Sequence, residues 1–407
     1  MEALRCLPQE DATPVAALTC SIHELPHEIL VSIFSYLKPS ELLYGVGMVC
    51  KRWCELSKEP LAWQKTSFSL WDDTRIWRHA PFIGHLEILA PNETEVEKVR
   101  QLVASTGPAC VRSMRIILRH PRDALGILRK YEDVIRTLDL QVGGQDAFPH
   151  DWREFFDAIG MLSDLRSLSV RISPVLPDIP YDKQISAGCR ALRSLRVRGQ
   201  ECLAADLVRD LGGIVSSLVL SCSFDEHSHK LIQALSTCTA VRELTLPCCM
   251  IASVSHVQSL QSLKLIADHG PTAIDDAILS ACPTLQKIEK LEVCNSRTQN
   301  APELGMNRCV SMIARHLKNC HSVDLRGLRT LDEYLSEFIN EAKTVQSYEL
   351  ICKVYHLLQL ENLENVRTVR AVLDTQGMGV PFVLNTVNRL RAHPKKIFYI
   401  HFHYMGH

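Results

Sequence analysis

The pentapeptide SLRVR, residues 194–198, places Leu195 and Val197 on either side of one arginine, with a second arginine following. Alternation of this kind puts the two apolar residues on one face of a short strand and Arg196 and Arg198 on the other. The phrase recurs in both directions. Upstream it reads HLEIL at Leu86, SMRII at Met114, TLDLQ at Leu138 and SLSVR at Leu168. Downstream it reads SLVLS at Leu218, ELTLP at Leu244, SLKLI at Leu263 and KLEVC at Leu291. Weaker copies stand at Val323, Tyr348, Val369 and Phe398, so the mean spacing from Leu86 to Phe398 is about 26 residues.

Between the phrases lie helical segments such as TEVEKVRQLVAS, PRDALGILRKYED, DWREFFDAI, CVSMIARHLKN and YLSEFINEA. Strand, helix, strand at a period of about 20–29 residues is the pattern of leucine-rich repeats and predicts a parallel-sheet solenoid. Each unit leaves half its apolar surface bare, so stability must come from stacked neighbours. The spacing is uneven, 19 residues from Leu244 to Leu263 and 32 from Leu291 to Val323, which predicts irregular curvature and bulged loops.

The N-terminal part has another texture. In LPHEILVSIFSYLKPSEL, residues 25–42, Pro26 suits a helix start, and Ile29, Leu30, Ile33, Phe34 and Leu37 fall on one helical stripe. Lys38-Pro39-Ser40 ends that helix, Glu41 opens a second, and VCKRWCELSK forms a third with Val49, Trp53 and Leu56 on one side. Three helices in under fifty residues remove too little apolar surface from water to stand alone. The stripe therefore predicts a partner surface, the rest being covered by the repeats. The expected organisation is a flexible leader at 1–21, a helical unit at 22–68, and about thirteen irregular repeats over 69–407.

Totals narrow the function. Across 407 residues, 45 Lys+Arg face 46 Asp+Glu, which argues against a wholesale grip on nucleic acid or an anionic membrane. No run approaches the ~20 apolar residues of a membrane span, and the first twenty residues do not read as a signal peptide. The sixteen cysteines include no CxxC pair, so reduced, buried thiols in cytosol or nucleus are expected. His401, His403 and His407 read as a capping strand with exposed imidazoles, and no metal or other cofactor is expected. No GxSxG, GxxxxGK[ST] or HExxH motif is present, and an enzyme is not the expected reading.

LPHEILVSIFSYL, KPSELL, VCKRW and EPLAW, in that order over Leu25 to Trp63, resemble an F-box. The remainder resembles the cysteine-containing class of leucine-rich repeat. AIDDAILSACPTLQKIEKLEVC is its best copy, with Cys189, Cys238, Cys282 and Cys320 ending helices and Cys222 and Cys294 following strands. The resemblance implies an α/β fold: a short three-helix F-box followed by a leucine-rich-repeat horseshoe. It further implies the substrate-recruiting subunit of a Skp–cullin–F-box ubiquitin ligase, with cullin and RING subunit reached through a Skp-type adaptor. An F-box/LRR scaffold or binding module acting without cullin fits the same residues. Carried over by position, the adaptor-facing residues are Leu25, Pro26, Ile29, Leu30, Ile33, Leu37, Leu42, Val49, Cys50, Trp53 and Trp63. Two places depart from the pattern: Gly45 and Gly47 stand where helix formers are expected, and Ala62 precedes Trp63.

The residues between the core positions predict the exposed row of the sheet, running from Glu87 through Arg115, Asp139, Ser169, Arg196, Val219, Thr245, Lys264, Glu292, Asp324 and Glu349 to Arg370. Two zones emerge as candidate contacts for a protein substrate. Arg171, Arg196 and Arg198 form a basic zone suited to an acidic or phosphorylated peptide, since each guanidinium forks onto two oxygens. Glu292, Asp324 and Glu349 form an acidic one.

Overall fold

A computed structural model describes residues 22–402 apart from 91, 144–148, 174–178, 180, 182–184, 222–227, 268–273, 296–303, 328–331 and 375–379. The leader at 1–21, Cys222, His403 and His407 lie outside the described residues.

One parallel sheet of fourteen strands in chain order forms the spine. Its first half comprises β1 (Ser67–Ser69), β2 (Ile83–Ala90), β3 (Val111–Leu118), β4 (Thr137–Val142), β5 (Ser167–Ile172), β6 (Ser194–Arg198) and β7 (Ser217–Leu220). The second comprises β8 (Glu243–Pro247), β9 (Ser262–Ala267), β10 (Lys290–Asn295), β11 (Ser322–Gly327), β12 (Ser347–Cys352), β13 (Thr368–Leu373) and β14 (Ile397–Phe402). The core residue of every phrase faces its counterpart. Leu138 pairs with Leu168, Leu168 with Leu195 and Leu195 with Leu218, and the ladder ends at Val369 with Phe398. The last repeats, weak as sequence, pair without interruption over six residues each.

Helices such as Glu93–Ala104, Arg122–Lys130, Glu201–Leu211 and Asp332–Glu341 return the chain between strands. Their apolar faces and the inward strand residues merge into one core from Leu30 to Ile400. At ~1.5–3 kcal/mol for each fully buried leucine or valine, and with each face needing a neighbouring repeat to cover it, stacking holds the array together. The 19-residue step from Leu244 to Leu263 has no room for an α-helix, and a 3₁₀ segment, Cys248–His256, takes its place. The 32-residue step carries a bulge where β10 meets β11, with Cys294 opposite Gly327. A Cβ on Gly327 would stand 2.5 Å from the Cys294 Cα, so glycine permits that approach.

Gly199 ends β6 with φ of 132°, and a Cβ there would lie 2.1 Å from the Ile172 carbonyl oxygen. Only glycine adopts this backbone without strain. Gly199→Ala is expected to lower stability by roughly 1–3 kcal/mol in urea denaturation. Gly143→Ala, where a Cβ meets nothing within 4 Å, is the control and should change it little. Equal midpoints for the two variants would contradict the strain.

The helical unit departs from three regular helices. α1 (His27–Phe34) starts one residue later than expected, with Pro26 outside as its cap. The expected second helix is a π-turn at Glu41–Gly45 followed by a 3₁₀ turn at Val46–Met48, because Gly45 and Gly47 weaken α-helical propagation. α2 (Lys51–Leu56) and a 3₁₀ turn at Pro60–Trp63 follow. The unit is continuous with the solenoid. The Thr66 hydroxyl donates to the Trp63 carbonyl at 2.6 Å, and the Thr66 carbonyl accepts from the His85 amide at 2.9 Å. Phe68, in the added strand β1, packs 5.4 Å from Trp77, which meets Tyr131 edge-on.

The cysteines behave as packing residues. Cys189, Cys238 and Cys320 are buried, and burial pushes their thiols up to about 12, 12 and 11, so they are protonated at neutral pH. Cys189 Sγ donates to the Ile159 carbonyl at 3.1 Å. Cys282 is half-buried, with its sulfur 3.1 Å from His316 Nδ1. Among the described residues, no three His, Cys, Asp or Glu side chains come together as metal ligands.

Candidate interaction surfaces

The eleven positions carried over for the adaptor divide by burial. α1 points Leu30, Val31 and Phe34 into the core, so the helix presents Pro26, Ile29 and Ile33 to solvent. Ile29 is 47% exposed and Ile33 41%, whereas Leu30 is fully buried. Leu42 and Trp63 are likewise buried in the free chain, and Trp63 donates its Nε1–H to the Ser57 carbonyl at 2.6 Å. Leu30, Leu42 and Trp63 are thus covered in the free chain, beneath the exposed stripe. Val49 is exposed, and Leu25, Leu37, Cys50 and Trp53 are half-buried. Trp53 packs edge-on against Phe34 at 5.2 Å, which ties α2 to the back of α1.

The helical unit also exposes Tyr36, Met48 and Leu61, which the sequence reading does not mark as adaptor contacts. Tyr36 continues the stripe at the spacing Ile29, Ile33, Tyr36, and Lys65 Nζ lies 3.5 Å from its ring centroid. Helical periodicity could have found Tyr36. Met48 and Leu61 sit in 3₁₀ turns, where no α-helical period applies.

The expected exposed row is present strand by strand. Glu87 faces Arg115, Arg115 faces Asp139, Ser169 faces Arg196, and Glu292, Asp324 and Glu349 follow in register. The two zones differ electrostatically. In the second, every carboxylate has a cation. Glu292 binds Lys264, with Lys290 at 4.0 Å. Arg326 reaches Asp324 and Glu349 at 2.7 Å each, and Glu349 also meets Arg370 at 3.2 Å. Burial alone pushes the Asp324 carboxyl up, but hydrogen bonds from Arg326 more than offset it and hold it below the usual range. Three carboxylates against Lys264, Lys290, Arg326 and Arg370 make a neutralised lattice. Each carboxylate of the expected acidic zone therefore has a cationic partner within the chain.

The arginine zone lacks such balance. Arg171 and Arg198 stand opposite each other on β5 and β6, and Arg196 faces Ser169. Arg171 donates to the Gln141 side chain at 3.2 Å. Among the described residues, none of the three makes an ion pair, although Arg115 nearby pairs with Glu87 at 3.0 Å and with Asp139 at 3.6 Å. Like charges opposite each other on neighbouring strands repel, so this is where the sheet gains most from an added anion.

Residues 22–69 match the F-box-like family. Among solved structures, the chain is similar to the leucine-rich repeat-containing protein LegL7 from Legionella pneumophila, at 14% identity and a TM-score of 0.38 over 75% of this chain and 97% of that one. It is also similar to a chain of the yeast Rad7–Elc1 complex, at 11% identity and a TM-score of 0.38 over 92% of this chain and 88% of that one. The F-box-like match thus covers the N-terminal helical unit, and fourteen stacked parallel strands in chain order follow it.

Proposed function

We propose that the chain is the substrate-recognition subunit of a Skp–cullin–F-box ubiquitin ligase, working in cytosol or nucleus. Pro26, Ile29, Ile33, Tyr36 and Val49 dock on a Skp-type adaptor, through which the cullin and RING subunit are reached. Arg171, Arg196 and Arg198 hold an acidic or phosphorylated segment of a protein client. The subunit contributes proximity: a client lysine held near a charged conjugating enzyme reacts at a raised effective concentration. The observation that carries the reading is the pairing of an exposed apolar stripe on the helical unit with an unneutralised arginine trio on the sheet that follows it.

Affinity purification of the full-length chain is the test. Adaptor, cullin and RING subunit are expected together in the eluate. Adaptor alone would replace the ligase with a scaffold, and loss of all three would end both readings.

A further inference from the structure

The residue two places before each core leucine forms a row of its own at the edge where the strands begin. The amide of Arg136 donates to the carbonyl of Arg112, Arg166 to Arg136 and Arg193 to Arg166, each at 2.8 Å. Ser216 continues the ladder at 2.9 Å and Arg242 at 2.8 Å. Four arginines thus stack in consecutive repeats, ~5 Å apart at the backbone, with a fifth one step beyond a serine.

Almost none of this charge is answered. Arg136 has Asp164 at 3.9 Å, and Arg112 lies over the Phe82 ring. Arg193 donates to the backbone carbonyls of Arg190 and Leu192. Among the described residues, Arg166, Arg193 and Arg242 make no ion pair, whereas Arg100, Arg209, Arg315 and Arg389 on the helices are all paired. Ser216, standing where its neighbours carry arginine, leaves a depression. A groove of about 700 Å³ opens there, lined by Arg193, Ser216, Arg242 and Lys290 and also by Glu243 and Glu289. Its basic end, at Arg193, adjoins the trio: Arg196 is three residues along the same strand.

We propose that the strand-start edge from β3 to β8 is a second docking track, on which Arg112, Arg136, Arg166, Arg193 and Arg242 hold an extended acidic segment of the client. The inference rests on the reading that the solenoid binds a protein. Charge complementarity selects an anion. The neighbouring positions Ser113, Thr137, Ser167, Ser194 and Ser217 select a polypeptide, because they offer hydroxyls to carboxylates and backbone amides. The outward residues of β3–β7 include no aromatic ring on which nucleic-acid bases would stack.

The test titrates a fluorescein-labelled oligo-glutamate peptide into the full-length chain and reads anisotropy. Arg166→Glu with Arg193→Glu is expected to weaken binding by about tenfold or more, with wild-type affinity falling as salt is raised. The thermal midpoint should change little, since one like-charge pair replaces another and the new carboxylate at position 166 faces Arg136. Arg129→Glu with Arg308→Glu, the same charge change on the helical face, should bind as wild type. Wild-type binding by the edge variant, or equal loss in the helical control, overturns the track. Loss confined to Arg196→Glu with Arg198→Glu overturns the track while leaving the concave client site standing. An oligo-uridylate of matched charge that binds more tightly than the peptide overturns the polypeptide as occupant.

Discussion

Ile29→Glu with Ile33→Glu is expected to reduce capture of a Skp-type adaptor by about 100-fold or more while the chain stays folded. Each isoleucine is nearly half exposed, so the free chain loses little by the change. In the complex, each would forfeit about half of the ~1.5–3 kcal/mol of a full burial, and the two together approach the ~2.7 kcal/mol that separates 100-fold affinities. The buried carboxylates would cost more still. Leu30→Ala is the contrasting variant. Leu30 is fully buried, and its truncation is expected to cost about 2–5 kcal/mol of stability, lowering adaptor capture only by unfolding the helical unit. The two effects separate in one experiment: co-purification of the adaptor beside a thermal melt of each variant. Intact capture by the double glutamate variant would move the interface off α1.

Much of the solenoid was legible because a parallel strand buried on one face repeats with a period of two, and neighbouring repeats must align their inward leucines. Leu195 and Val197 therefore place Arg196 and Arg198 on the open face from sequence alone. β1 was not legible, since Ser67-Phe68-Ser69 has a single apolar residue and offers no alternation. On α1, a stripe containing Ile29, Leu30, Ile33 and Phe34 is broad enough to serve two surfaces, and periodicity does not decide which flank the repeats cover. Packing of α1 against the Pro60–Trp63 turn decides it, and those contacts join segments far apart in sequence. The neutralisation of Glu292, Asp324 and Glu349 was half visible. Lys264 and Arg370 bracket them in the row, but Arg326 reaching both Asp324 and Glu349 depends on side-chain reach, which strand parity leaves open. Gly45 and Gly47 marked the weak point of the second helix, and tertiary packing turned it into π and 3₁₀ turns.

Arg196→Glu with Arg198→Glu is expected to lower client capture by about 100-fold or more, with adaptor capture unchanged. Each arginine would lose a charge-assisted bond worth ~1.5–3 kcal/mol, and each new glutamate would repel an acidic client. The chain itself should tolerate the change. Both side chains are exposed, and neither makes an ion pair among the described residues. Replacing Arg198 also relieves its repulsion from Arg171 across the strand pair. Glu292→Lys provides the reference on the balanced half of the sheet. It breaks the contact with Lys264 and so perturbs the lattice, yet it should leave client capture near wild type. Quantitative comparison of bound proteins with the proteasome inhibited reads all three variants against one background. If the arginine variant retains every client and the Glu292→Lys variant loses them, recognition lies on the C-terminal half of the sheet. The unneutralised charge on β5 and β6 would then have some other anion as its counterpart.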